Sequence, residues 1–103
     1  MAIAGRYPRL ERKLRSAVLD APATTDAALR RAAYSGEGLP APLSGYVEKL
    51  HRHAYRVQDD DVEQMRAAGY SDDQIFEVTI AAALGAGDDR MRAGLSALNE
   101  ALR

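Results

Sequence analysis

An all-α chain is predicted by two features of this 103-residue sequence. Apolar residues recur at spacings of three and four, and no segment shows the apolar–polar alternation of a half-buried strand. The stretch YSDDQI, residues 70–75, adds a third observation: Ser71 as N-cap and Gln74 three residues on form a capping box. The length suits one small domain, a bundle of about five to six helices. Within it, residues 1–41 supply N-terminal helices and residues 42–103 the helical core.

Pro8 suits a first helical position, with Leu10, Leu14 and Val18 following on one stripe until Ala21-Pro22 ends the helix. Thr24, Thr25 and Asp26 offer N-caps for a short second helix through Leu29, Ala32 and Ala33. SGEGLPAP, residues 35–42, is the clearest break in the chain. A third helix begins near Pro42 and carries Leu43, Tyr46, Val47, Leu50 and Ala54 on one face. Asp59 or Asp60 caps a fourth, DVEQMRAA, closed by Gly69 at C′. The fifth starts at Asp72 behind the capping box, with Tyr70 and Ile75 placed to form a hydrophobic staple.

That fifth helix runs into TIAAALGAGDDR, where Ala82 with Ala86 and Ala83 with Gly87 are small-xxx-small pairs. Such pairs let another backbone approach closely. Gly85 and Gly87 each cost a helix about 1 kcal/mol relative to alanine, so they require a packing or bending reason. A final helix bearing Met91, Leu95, Leu98 and Leu102 restarts at Asp88 or Asp89.

Composition removes several function classes. A hydrophobic fraction of 47% and a charged fraction of 28% are ordinary for a soluble globular protein. The absence of cysteine excludes disulfides, thiolate metal ligands and Cys-x-x-Cys redox chemistry together. The longest apolar run, Thr79 to Ala86, is far short of the roughly 20 residues that span a bilayer, so no membrane partner is expected. The opening MAIAGRYPRLERK lacks the apolar core of a secretory signal, which predicts a cytoplasmic location. With net charge −1 there is no general attraction to nucleic acid. Charge is nevertheless uneven: Arg6, Arg9, Arg12, Lys13 and Arg15 cluster against Glu11, whereas residues 59–89 set nine acids against Arg66. That dipolar surface can guide self-association.

The segment LHRHAYRV, residues 50–57, holds both histidines. On a helix, residues two apart lie about 200° apart, so His51 and His53 cannot grip one metal ion, and no metal is expected. His51 instead falls beside Glu48 and Tyr55. A carboxylate orienting an imidazole is the arrangement used in general acid–base catalysis. It is equally an ordinary polar helix face.

The run YVEKLHRHAYRVQDDDVEQMRAAGYSDDQIFEVTIAAALGAGDDRMRAGLSAL, residues 46–98, resembles the C-terminal half of the alkylhydroperoxidase-D-like, or carboxymuconolactone decarboxylase-like, family. The parts that carry the resemblance are Glu48-Lys49-Leu50, the turn at Asp61-Val62, RAAGYSDDQI from Arg66 to Ile75, and an alanine-rich helix leading to Arg90. The resemblance implies an all-α fold that assembles as a homo-oligomer through helix packing. Redox members of that family carry a Cys-x-x-Cys and a nearby histidine. No position here can inherit those cysteines, so peroxidase activity is expected to be absent. Neither His51 nor His53 lies in the matching motif, and the family's relay histidine is not carried over. Gly85-Ala86-Gly87 also departs from the aromatic and asparagine residues often found before the arginine.

Two functions are therefore expected. The first is a cysteine-free, non-redox helical protein that self-assembles, with Ala82, Ala83, Gly85, Ala86 and Gly87 as packing positions, and that binds a small molecule. The alternative is a cofactor-independent lyase or isomerase. In it Glu48 and His51 form an acid–base pair beside Tyr55, and Arg52, Arg56 or Arg90 holds a carboxylate substrate.

Overall fold

The computed structural model describes residues 2–103, with side chains described from residue 8 onward. Five α-helices and one short 3-10 turn appear in the order α1 (Ala2–Leu19), α2 (Ala27–Ser35), α3 (Leu43–Arg52), the turn Ala54–Arg56, α4 (Asp59–Ala67) and α5 (Asp72–Ala101), and the described residues contain no strand. None of these helices is long and apolar enough to cross a membrane. Arg6, part of the basic N-terminal run, lies outside the described side chains.

The core collects where α5 meets the other helices. Leu19, Ala33, Leu43, Tyr46, Val47, Met65, Ile75, Val78, Ala81 and Ala82 are buried together. Tyr46 stays buried because its hydroxyl meets Thr79 Oγ1 at 2.6 Å. Thr79 Oγ1 spends its single proton on the Ile75 carbonyl at 2.7 Å, so the phenol must be the donor. Burial of aliphatic side chains contributes roughly 1.5–3 kcal/mol each, and here it binds α3 and α5 face to face.

Local signals act as expected at several boundaries. Asp26 caps α2, accepting from Leu29 N at 2.8 Å, and Gly36 closes it with φ +83. Ser71 and Gln74 form both halves of their capping box, at 3.1 and 2.8 Å. Gly69 sits at φ +100 just past α4, as a C′ glycine should. Ile75 is buried and Tyr70 half-buried in the same core, where a staple would place them.

Four expectations are corrected. Pro8 lies inside α1 rather than at its start. Proline's fixed φ matches helical geometry, so an interior site forfeits mainly one backbone bond and some steric room. The N-cap of α4 is Gln58, because Asp61 turns back to accept from Gln58 N at 2.8 Å while also taking Lys49 Nζ at 2.6 Å. Ala54 leaves the α3 face, since α3 ends at Arg52 and His53 adopts φ −145, ψ 58.

The fourth correction is the largest. No new helix starts at Asp88 or Asp89; α5 runs unbroken for 30 residues through both glycines. Gly85 has a packing reason: a Cβ there would overlap the backbone carbonyl of Tyr34, so α2 lies directly against α5 at this point. Ala82, Gly85 and Ala86 are buried, whereas Ala83 and Gly87 are exposed. The small-residue face is thus consumed within the chain along one edge only.

Candidate functional site

Two of the polar residues singled out from the sequence, His51 and Arg90, together with Arg30, reach the ends of helices, where backbone carbonyls lack helical partners. Arg30 of α2 donates through Nη1 to the Val18 carbonyl in the last turn of α1, at 2.8 Å. His51 of α3 meets the Ala33 carbonyl in the last turn of α2 through Nε2, at 3.0 Å. Arg90 of α5 donates through Nη2 to the His51 carbonyl in the last turn of α3, at 3.0 Å. The ends of α1, α2 and α3 are thus each met by a basic side chain from a later helix, which suits the negative end of the helix dipole.

This relay settles the ring of His51. A carbonyl only accepts, so Nε2 carries a proton and Nδ1 is the nitrogen left to act as a base. Tyr55 is not an i+4 neighbour of His51, because α3 ends at Arg52 and His53 leaves helical geometry at φ −145, ψ 58. In a continuing α-helix the Tyr55 N–H would bond to the His51 carbonyl. Here the chain tightens into the 3-10 turn Ala54–Arg56 instead, and Arg90 donates to that carbonyl. Tyr55 is 79% exposed, with the His53 ring edge-on at 5.9 Å and the Arg56 guanidinium over its own ring at 5.8 Å.

Glu48, His51 and Arg52 do share one place. They line a polar hollow of about 510 Å³ with Ser35, Ser44 and Asp89, between the C-terminal end of α2, α3 and the middle of α5. Gly36 forms part of its wall, where an added Cβ would lie 3.5 Å from His51 Nε2. Chemically the hollow offers two serine hydroxyls, carboxylates at Glu37, Glu48 and Asp89, one imidazole and one guanidinium. Tyr55, Arg56 and Arg90 are not among its lining residues. No three His, Cys, Asp or Glu side chains converge on a metal-sized site among the described residues.

Beside the hollow is a second polar cluster, which sequence reading missed. Tyr34 donates its hydroxyl proton to Asp88 Oδ2 at 2.6 Å and accepts from Arg92 Nη2 at 3.1 Å. Asp88 is 6% exposed. Burial, followed by the hydrogen bond to Asp88, raises the Tyr34 pKa above the ordinary phenol value of 10.0. The only sequence signal was Asp88 appearing where a helix restart was expected.

The third polar feature also went unread. Glu77 accepts from Thr24 N at 3.0 Å, Thr25 N at 2.7 Å and Thr25 Oγ1 at 2.7 Å, tying the α1–α2 linker to α5. Burial pushes the Glu77 carboxyl up, but the bonds from Thr25 and Thr24 outweigh it and hold the pKa at about 2.

Fold and site together define a class no finer than an all-α helical protein with a polar surface hollow. No protein-family model, curated protein or solved structure matches the chain.

Proposed function

We propose that this chain is a cysteine-free, non-redox helical protein of the alkylhydroperoxidase-D-like kind that works as a homo-oligomer and holds a small polar molecule in the hollow at His51. The observation that carries self-assembly is an uncovered apolar surface on α1 and the far half of α5. Leu10, Leu14, Met91, Leu98 and Leu102 are all exposed, Leu10 at 62% and Leu102 at 68%. From Asp89 to Ala101 the helix is exposed at every residue but Leu95, which is half-buried. An isolated helix of that length is marginal in water, so a segment that stays helical with leucines outward needs a covering surface. A second copy supplies the same leucines in return, as an isologous interface does.

Size-exclusion chromatography with light scattering tests this on the full chain. A dimer or higher oligomer is expected, shifted toward monomer by the double variant Leu14→Glu, Leu98→Glu with any loss of helicity confined to the far half of α5. A monodisperse monomer at high concentration would refute it.

The lyase or isomerase reading is favoured by one observation: Glu48, His51 and Arg52 line the same hollow. Glu48 and the free Nδ1 of His51 would exchange protons while Arg52 holds a substrate carboxylate. A carboxylated lactone is the substrate class to assay. Turnover abolished by both Glu48→Gln and His51→Gln supports the reading; no turnover, or turnover indifferent to both changes, removes it.

A further inference from the structure

Near the start of α2 lies a smaller groove of about 180 Å³, bounded by α1, the α1–α2 linker and α5. Ala17, Val18, Pro22, Phe76 and Ile80 make it largely apolar, and Phe76 and Ile80 are exposed at its rim. Two charged side chains reach it, Glu77 and Arg30. The Glu77 oxygens are already committed to Thr24 and Thr25.

Arg30 is the unusual wall. It is 4% exposed, and its Nε is buried with no hydrogen-bond partner among the described residues. Its Nη1 is spent on the Val18 carbonyl, and no described carboxylate lies within ion-pair distance. A buried guanidinium normally has an anionic partner, because desolvating the charge is costly. The C-terminal end of α1 offsets part of that cost and leaves Nε without a partner.

We propose that this groove binds a small monocarboxylate with an apolar tail. The carboxylate pairs with the Arg30 guanidinium through the nitrogens not spent on Val18, and the tail lies against Phe76 and Ile80. A second carboxylate on the ligand would meet the negative Glu77, so dicarboxylates are disfavoured. At roughly 30 Å³ per water-sized group, the volume accommodates about six such groups, the size of a short-chain fatty acid.

An NMR titration of the full chain with sodium pentanoate tests the site, with 1-pentanol as the neutral control. Saturable shifts are expected at Phe76, Ile80 and the Arg30 Nε–H, with a Kd on the order of millimolar for so few ligand atoms. The alcohol should bind about tenfold more weakly, the loss of one charge-assisted contact. Ala17→Phe, at an exposed wall position, should abolish saturation while leaving helicity intact. Arg30→Met should reduce pentanoate to the level of the alcohol. If that variant does not fold, Ala17→Phe and the alcohol comparison still decide the matter. Equal binding of acid and alcohol, or no saturable shift, overturns the proposal. So do shifts at Phe76 and Ile80 that follow protein concentration and ignore pentanoate, because a second copy would then cover the groove.

Discussion

Arg90 donates to the backbone carbonyl of His51 at 3.0 Å, while the ring of the same histidine reaches the carbonyl of Ala33. His51 is therefore capped and capping at once, the middle link of a relay that joins α2, α3 and α5. His51 and Arg90, two of the residues that look most like chemistry in the sequence, are first of all helix terminators.

The relay makes a prediction about tautomers. Long-range nitrogen-15 spectra of neutral His51 should show the proton on Nε2, with His53 serving as the exposed comparison. His51→Ala should cost about 1 kcal/mol through the uncapped Ala33 carbonyl, and His51→Gln, which retains a donor, less. A proton found on Nδ1 would contradict the structure.

Arg90→Ala removes the cap from α3. The expected loss is roughly 0.5–1 kcal/mol, read from denaturant midpoints at unchanged slope. Faster amide exchange should be confined to the last turn of α3 and the 3-10 turn. Loss of the same size spread over α1 would argue for some other role.

The two glycines of α5 should respond oppositely to alanine. Gly85→Ala drives a methyl into the Tyr34 carbonyl and should destabilise by about 1–3 kcal/mol despite better helix propensity. Gly87 meets nothing within 4 Å, so Gly87→Ala should stabilise by up to about 1 kcal/mol. Thermal melts of the two variants, run side by side, give the sign directly.

Glu77 should govern acid stability. Its folded pKa is lowered to about 2 from 4.5, so its contribution is present above pH 4.5 and lost as the pH falls toward 2. Glu77→Gln should lower the melting temperature at pH 7, by about 2 kcal/mol in stability for the lost charge-assisted bonds. The gap from wild type should narrow between pH 4.5 and 2. A constant gap across that window would mean that the carboxylate charge is not what holds the linker.

Tyr34 predicts the alkaline limb. Its folded pKa is raised above 10.0, so the unfolded phenol ionises first. Stability is complete below pH 10 and falls as the pH rises toward the folded pKa. Tyr34→Phe should flatten that decline and cost about 1–2 kcal/mol at neutral pH, because Asp88 loses its donor.

Features carried by neighbouring residues were legible without coordinates. The capping box at Ser71, the C′ glycine at Gly69, the cap at Asp26 and the helical periodicity all act within a turn or two of chain. The divergence of His51 and His53 belongs to the same kind, since helix geometry alone separates residues two apart. The small-residue pattern around Gly85 announced a close backbone approach but not whose backbone.

What the sequence alone determined is thus the all-α class, most helix boundaries and the absence of thiol chemistry. Only the tertiary structure decided that α5 stays whole and that Tyr55 leaves the side of His51. It also decided that Arg90 serves a backbone carbonyl, and that Arg30 is buried beside an apolar groove. The reason is physical: caps and periodicity depend on residues a few positions apart, whereas Tyr34 with Asp88, Thr25 with Glu77 and His51 with Arg90 lie 39 to 54 positions apart. Those contacts exist only once the packing of α5 brings them within reach.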